Sequence, residues 1–427
     1  MFLADFHIHS KYSRATSRDM DLEHLNYWAE VKGISVISTG DFTHPEWFRE
    51  LALKLEPAEP GLFVLKDKYQ KRQIEGVPYA LPHPASTRFI LTTELSSIYS
   101  KHGKTYRIHN IIFAPSLEVA DEINTNLAWE FNLKSDGRPI LGLDAKDLAG
   151  RMMAISKDCM IVPAHIWTPW FSLFGSRSGF DRLEECFEEY SPCIHAMESG
   201  LSSDPAMNWR LSALDKITII SNSDSHSPRK IGREANVLNC KMSYNEIKKV
   251  LETKDKNQFL FTVEFFPEEG KYHYDGHAAC DVSLNPSEAK VKNNICPVCH
   301  RPLTIGVLHR VDDLADRPQG FIPENSIPFK NLIPLEEIIA DTIGMGVGTR
   351  GVSEKYFALI REYRNEFAIL LNVDVEDLLR ATTPLIAQAI INARLGKVEV
   401  IPGYDGVYGK IKVQSPKIKK KIQEKLF

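Results

Sequence analysis

The sequence predicts an α/β fold: a parallel sheet closing into a barrel over residues 1–266, a small cysteine-bearing module over 267–325, and a helical region with a basic tail over 326–427. Three observations predict it. Short apolar runs alternate with helix-type segments through residue 266, the rhythm of a parallel sheet with crossover helices. Histidines and carboxylates recur just past the C-terminal ends of those runs, where such barrels gather their chemistry. Three of the seven cysteines crowd into 280–299.

At 427 residues the chain is long enough for two or three domains and a large core. A formal net charge of −4 neither favours nor excludes a polyanionic partner, so such a contact would rest on local patches. No apolar run reaches membrane-spanning length, and the N-terminus lacks a basic-then-apolar leader pattern. The expectation is a cytoplasmic protein without membrane contact, and a monomer. An odd number of cysteines, scattered outside one cluster, fits a reducing compartment and a metal site rather than a disulfide framework.

The first run, Leu3 to Ser10, reads as a strand with His7 and His9 on one face, two residues apart. From Ser17 to Lys32, the residues Met20, Leu22, Leu25, Tyr27, Trp28 and Val31 fit a helix that Gly33 stops. Ile34 to Thr39 is a buried-type strand followed by Asp41 and His44. Residues 45–88 carry Pro-rich stretches around the basic Lys66–Arg72 and read as an irregular insertion on the functional rim. The rhythm then resumes. Phe89–Thr93 leads to Glu94, and Tyr106–Phe113 carries His109. Met160–Ala164 leads to His165, Cys193–Met197 to Glu198, and Ile217–Ser223 to Asp224 and His226. Helix-type stretches at 117–130, 144–158, 181–190 and 205–215 separate them.

Imidazole is the commonest protein ligand for zinc-like ions. Nearly all the candidates lie just past strand ends, and a random scatter of fourteen histidines would not do this. The reading is a centre for several metal ions. His24, His83 and His102 stand apart in a helix pattern and in loops, and His195, early in its strand, reads as packing. Histidine-rich ligation favours zinc or manganese over a magnesium-only site, with magnesium or manganese as alternatives for turnover. No nucleophile elbow or P-loop is present.

The order His7-x-His9, Asp41/His44, Glu94, His109, His165 and Asp224-x-His226 resembles the polymerase-and-histidinol-phosphatase (PHP) family. That resemblance implies a distorted (β/α)7 PHP barrel, up to three metal ions and cleavage of phosphoesters. It implies His7, His9 and Asp224 on one ion, Glu94 bridging to His109 and His165 on another, and Asp41, His44 and His226 on the remaining one. Asp224, His226 and Glu94 are the expected catalytic residues. The chain departs from the family where an acidic residue often follows the histidine pair in a Tyr-Ser-Asp context. Here the residues are Tyr12-Ser13-Arg14. Asp19 or Asp41 supplies that ligand, or the second metal lacks it, and Arg14 becomes a candidate phosphate contact.

His165 opens an aromatic segment through Phe180, unusual for a loop. It is either a satellite core or a pocket wall that stacks on a planar ring. Trp167, Trp170, Phe171, Ser172, Phe174 and Arg177 are its candidate nucleic-acid contacts. Further on, His277-x-x-Cys280 precedes Cys296-x-x-Cys299 by fifteen residues, a spacing that sets four donors around one structural zinc. His277 has the best spacing for the histidine ligand, with His273, His300 and His309 as alternatives. Lys290, Lys292, His300, Arg301, His309 and Arg310 around it form either a duplex grip or a solubilising face. Within the helical 329–396, the turn Gly344–Gly351 offers backbone N–H groups and Arg350 to a phosphate, or is a plain connector. Gln423-x-x-Leu426-Phe427 in the basic tail faintly resembles a sliding-clamp peptide but lacks its second aromatic.

Taken together, the barrel, the aromatic segment, the zinc module and a helical end closed by Gly403–Gly409 resemble the DNA-repair endonucleases of the PHP family. That layout implies damaged DNA as partner, in the nucleoid. It implies cutting 5′ of a deaminated base (uracil, hypoxanthine, xanthine) or an abasic site, with the lesion flipped into the aromatic pocket. Two other readings stand beside it. A small-molecule phosphatase gives no role to the module or the helical end. A metal-free nucleic-acid-binding scaffold has Arg14 for it and the otherwise complete ligand set against it.

Overall fold

The structure is a computed structural model and describes residues 1–414. The basic tail and its clamp-like peptide lie outside the described residues. The chain divides into two compact units, Met1–Leu332 with Ile401–Lys410, and Ile333–Val400 with the described residues from Ile411. The cysteine-bearing segment 267–325 lies within the first. Among the described residues no helix is long and apolar enough to cross a membrane.

The first unit runs β1 (Phe2–Asp5), α1 (Leu22–Lys32), β2 (Val36–Ser38), α2 (Pro45–Lys54), β3 (Leu55–Pro57), β4 (Phe63–Leu65), β5 (Arg88–Lys101), β6 (Lys104–Ala114), α3 (Leu117–Ala128), β7 (Ile140–Leu141), α4 (Ala145–Ile155) and β8 (Met160–Pro163). It continues α5 (Leu183–Phe187), β9 (Ala196–Glu198), α6 (Pro205–Asn208), β10 (Thr218–Ile220), β11 (Ala235–Leu238), α7 (Tyr244–Thr253), β12 (Phe259–Glu264), β13 (Asp275–His277), β14 (Val282–Leu284), α8 (Pro286–Val291), α9 (Val307–Leu314) and β15 (Phe329–Asn331). The main sheet has the order β15-β12-β11-β1-β2-β5-β4-β3, with β6 and β7 on β5 and β8 on β6; β9 and β10 form a separate parallel pair.

The sheet is mixed, which corrects the expectation of an all-parallel one. The pairs β1–β2 and β2–β5 are parallel, but β1–β11, β11–β12, β5–β6 and β6–β8 are antiparallel. The cause at β5–β6 is local. His102 and Gly103 both have positive φ (50° and 78°), the backbone of a two-residue hairpin turn whose twist matches its flanking strands. That hairpin pairs Arg88–Lys101 with Lys104–Ala114 far past the expected strand end, so Glu94 sits mid-strand, opposite Ile111.

Helix α1 starts at Asp21, whose side chain accepts the His24 N–H, and stops at Gly33 in the left-handed region (φ 92°). Helix α2 falls in the stretch read as irregular. Pro45 at its first turn and Trp47 and Leu51 buried one turn apart are its signal. Phe6, Val36, Ile90, Phe113, Val162 and Ile220 are among the residues of the core under the sheet. Each such side chain contributes about 1.5–3 kcal/mol by leaving water.

The second unit is helical: α10 (Leu335–Ile343), α11 (Arg350–Tyr363), a π-helical turn (Ala368–Asn372), α12 (Val375–Ala381) and α13 (Pro384–Arg394). Leu335, Ile339, Phe357, Ile360 and Ile390 are buried in it. Buried Glu366 accepts the Leu335 N–H at 3.0 Å and the Tyr356 hydroxyl at 2.7 Å, satisfying a donor at the start of α10.

Candidate metal centre and active site

At one end of the sheet the chain turns sharply after β2, β8 and β10. Asp41 (φ 49°), His165 (φ 32°) and Asp224 (φ 44°) all take left-handed backbone there, a conformation that costs free energy and gathers at functional sites. Beyond the end of β1, shorter than expected, His7 and His9 follow, with Ile8 bridged to Ser225.

Two triads of donors result. Ligand atoms of His7, His9 and Asp224 lie within 4.8 Å of one another, as do those of Glu94, His109 and His165. Glu94 touches both. Its Oε1 lies 2.7 Å from His109 Nδ1 and 2.9 Å from His165 Nε2, and its Oε2 lies 3.3 Å from His9 Nε2 and 3.6 Å from His7 Nε2. His7 Nε2, His9 Nε2 and Asp224 Oδ1 are buried without a hydrogen-bond partner. Orphaned nitrogen and oxygen donors turned toward one another fit a divalent cation.

Each histidine of the first triad is aimed from behind. His7 Nδ1 lies 2.9 and 3.1 Å from the two oxygens of Glu198, which also accept Asn222 Nδ2 at 2.9 Å and the His165 N–H at 2.8 Å. His9 Nδ1 lies 3.0 Å from Asp41 Oδ1, while Asp41 Oδ2 accepts from Ser10 N, Ser10 Oγ and Ser13 Oγ at 2.6–2.8 Å. A carboxylate on the far ring nitrogen fixes the tautomer and raises the basicity of the near one. Asp41 therefore serves as the support of His9, where the family pattern had it as a ligand.

The third set, Asp41 with His44 and His226, is not assembled. His44 precedes α2 and stacks on Tyr12, ring centroids 4.3 Å apart. The His226 ring lies against His9 at 4.5 Å. His226 Nδ1 lies 3.0 Å from the Asp224 carbonyl, an acceptor only, so Nδ1 carries the proton and Nε2 keeps its lone pair.

Burial disfavours the charged forms of His7 and His9, but the carboxylates of Glu198, Glu94 and Asp224 around His7, and of Asp41, Asp224 and Glu94 around His9, raise both well above an ordinary imidazole. Burial also works against ionised Asp224 and Glu94. Imidazoles outweigh it, with Arg138 also acting on Glu94, and both stay below the usual carboxylate range. Burial brings His109 down to about 4, against the pull of Glu94. Protons on His7 and His9 thus balance the buried carboxylates, and a cation would displace them.

A cavity of about 420 Å³ opens beside the triads, lined by Arg14, Arg138, Trp170, Phe171, Ser202 and Asp224 among others. The aromatic segment divides between its two expected roles. Trp170 is 37% exposed and meets Tyr272 edge-on at 5.9 Å, and Phe171 packs on His109 at 4.9 Å. Trp167, Ser172 and Phe174 are buried instead and form a satellite core. Trp167 Nε1 donates to Asn208 Oδ1 at 2.8 Å, its ring meets Phe174 at 4.9 Å, and Ser172 Oγ donates to the Thr168 carbonyl. Arg177 is exposed outside the cavity lining. Arg14 pairs with Asp136 at 3.1 Å and Arg350 with Glu354 at 2.7 Å. His195, read as packing, is exposed. Glu198, Asn222 and Arg138 received no role from the sequence; for Glu198 a place just past an apolar run was the available signal.

A second donor set lies apart. His277, Cys280, Cys296 and Cys299 place four ligand atoms within 4.8 Å of one another, His277 Nδ1 being 3.4 Å from Cys299 Sγ. The N–H groups of Val298 and Cys299 outweigh burial and bring the Cys296 thiol down to about 7, whereas burial and the neighbouring thiols push Cys280 up to about 11. His309 is committed to Asp275 at 2.5 Å, and His273 is buried against Tyr274. The duplex-grip reading loses residues here: Lys290 pairs with Asp312 and Asp313 at 2.8 and 2.9 Å, and Arg310 with Asp181 at 2.5 Å.

Residues 334–397 match the family model of the MJ0043 C-terminal domain. The chain is 34% identical over 262 residues to the uncharacterized protein MJ0043 of Methanocaldococcus jannaschii, covering 59% of this chain but only 32% of that protein's length. It is 30% identical over 393 residues to the uncharacterized protein YqxK of Bacillus subtilis, covering 90% of each. Among solved structures it resembles the lesion-specific endonuclease PfuEndoQ of Pyrococcus furiosus (TM-score 0.82, 29% identity, 96% of this chain and 95% of that one). It also resembles an endonuclease Q in complex with a 27-mer duplex substrate bearing an abasic lesion at the active site (TM-score 0.81, 28% identity, 97% and 96%). The mixed α/β fold is shared with these solved structures over nearly the whole chain. Within that fold class the chain belongs to the endonuclease Q family.

Proposed function

We propose that the protein is a metal-dependent DNA-repair endonuclease that hydrolyses the phosphodiester 5′ of a deaminated base or an abasic site, leaving a 3′-hydroxyl and a 5′-phosphate. One observation carries the reading: a single buried carboxylate, Glu94, shared by two donor triads beside a cavity with an aromatic wall. The related endonuclease Q in complex with an abasic-lesion duplex supports the substrate class. In this reading residues 1–266 form a PHP barrel, 267–325 a zinc module and 326–427 a duplex-contacting region.

His7, His9 and Asp224 would hold one ion and Glu94, His109 and His165 another, with Glu94 available to both. Divalent ions held there would supply activation of a water and neutralisation of charge at phosphorus. Glu198 and Asp41 hold His7 and His9 with their Nε2 atoms facing Glu94 and Asp224. His226, lowered by burial and by His9, stays neutral near pH 7 and takes up or returns a proton at Nε2. Trp170, Phe171 and Tyr272 offer faces and edges to a flipped nucleotide and exclude water from it. The four donors of the cysteine module would hold a structural zinc.

The test is an oligonucleotide panel with magnesium, manganese or zinc: duplexes carrying uracil, hypoxanthine, xanthine or an abasic site, an undamaged duplex, and a phosphomonoester. Metal-dependent cutting confined to lesion duplexes is expected. Turnover of the phosphomonoester alone would establish a phosphatase instead, and duplex binding without cutting would establish a scaffold.

A further inference from the structure

The metal rim carries a cation that neither the sequence pattern nor the family likeness assigns. Arg138 Nη1 lies 3.0 Å from Glu94 Oε2, and its side chain, 30% exposed, lines the cavity with His109, His165 and Asp224. The backbone that delivers it is held on several sides. Asp136 Oδ1 accepts the Arg138 N–H at 3.1 Å and the Arg14 N–H at 3.3 Å. The Gly137 N–H donates to the Tyr12 carbonyl at 3.1 Å, and the Ser96 N–H to the Pro139 carbonyl at 3.1 Å. Gly137 permits this approach, because a Cβ there would stand 2.3 Å from Asp41 Oδ2 and from Ser13 Oγ. The backbone that carries Arg138 is thus fixed to the loop of the histidine pair and to the strand of Glu94 together.

Glu94 is also the carboxylate that both triads share, so Arg138 leans on an oxygen that bound cations would claim. A guanidinium has no lone pair to offer a cation and is repelled by one. Loading of the triads therefore releases Arg138 Nη1 from Glu94 and leaves the guanidinium free to turn to another anion. A phosphodiester entering the cavity is such an anion, and two parallel N–H donors match its two non-bridging oxygens.

Resting on the reading above, we propose that Arg138 is a catalytic residue: its guanidinium exchanges Glu94 for the non-bridging oxygens of the scissile phosphate. The oxygen of water bonds to phosphorus, the bond from phosphorus to O3′ breaks, and O3′ leaves with one of the water's protons. Arg138 balances the charge that gathers on the non-bridging oxygens during this exchange and then holds the 5′-phosphate product.

The experiment compares wild type, R138A and R138K. R138A is expected to keep its metal content and to bind an uncut lesion duplex within about threefold of wild type. Its kcat falls by about 100-fold or more, the scale seen when one donor to a developing oxyanion is removed. R138K and added guanidinium chloride each restore part of the rate. Independently of turnover, wild type binds a nicked product duplex with a 5′-phosphate more tightly than one with a 5′-hydroxyl, and R138A does not. Full activity of R138A would overturn the assignment. So would a loss that follows missing metal and is rescued by neither lysine nor guanidinium, since Arg138 would then be a support of Glu94. If R138A does not fold, R138Q takes its place. A metal-loaded wild type that cuts no lesion duplex overturns the functional reading, and the product-duplex comparison then judges Arg138 by itself.

Discussion

Glu198→Gln is the substitution that most directly tests how the first triad is aimed. Both carboxylate oxygens of Glu198 are occupied: Oε1 by His7 Nδ1 and Asn222 Nδ2, each at 2.9 Å, and Oε2 by His7 Nδ1 at 3.1 Å and the His165 N–H at 2.8 Å. Every one of those partners is a donor when His7 turns an unprotonated Nε2 toward Glu94 and Asp224. Glutamine keeps the volume but turns one oxygen into an NH2 group, which must then face Asn222 Nδ2 or the His165 N–H. A buried donor left without an acceptor costs about 1–3 kcal/mol. The His7 ring also loses its charged partner, and losing such a support lowers metal affinity by about 10–100-fold, or about 1.4–2.7 kcal/mol. Urea denaturation of the metal-free variant reads the first quantity, and competition with a coloured chelator for manganese or zinc reads the second. The affinity loss should fall on the ion held by His7, His9 and Asp224 more than on the other. An E198Q protein with wild-type stability and wild-type affinity for both ions would refute this account of the site.

Other outcomes follow from the same geometry. Asp224→Asn removes the carboxylate of the first triad and is expected to abolish cutting while leaving duplex binding; unchanged cleavage would remove Asp224 from the site. Cys296→Ser should release about one zinc per chain and lower stability, because binding free energy at such a site is folding free energy; metal analysis showing full zinc content would contradict the assignment. Trp170→Ala should weaken lesion-duplex binding with little change in stability, whereas Trp167→Ala should cost about 3–5 kcal/mol of stability; equal effects on both quantities would show that the segment is not divided as described. Glu264, fully buried with Ser199 Oγ 3.0 Å from Oε2, is raised by burial from 4.5 to about 8, and burial also raises Glu234. Because the folded chain holds the Glu264 proton more tightly, its contribution is fully present below pH 4.5 and lost as pH rises through 8. Glu264→Gln should flatten the pH dependence of unfolding over that window, and an unaltered slope would count against it.

Much of this was legible because some signals are local. Cysteine spacing marked the four donors of the module, since two close pairs suffice to surround one ion. The alternation of apolar runs located most strands and helices of the first unit, and the positions just past them located the metal-type residues. Asp41 and Glu198 show where that reading stops. Both are carboxylates at or just past the end of a short strand, yet the one expected to bind metal sits behind His9, and the one given no role sits behind His7. Trp167 and Trp170, three residues apart, go to a satellite core and to a cavity wall.

The sequence by itself determined which donor types the chain carries, their order, and the local periods that put them near strand ends. Only the tertiary structure decided which of them meet. A hairpin turn at His102-Gly103 carried Glu94 into mid-strand between two histidine pairs. Left-handed turns at Asp41, His165 and Asp224 aimed one carboxylate at a histidine's back and another at its front. The physical reason is that a strand's period fixes the face a side chain takes, whereas the partner it finds there comes from segments tens to hundreds of residues away.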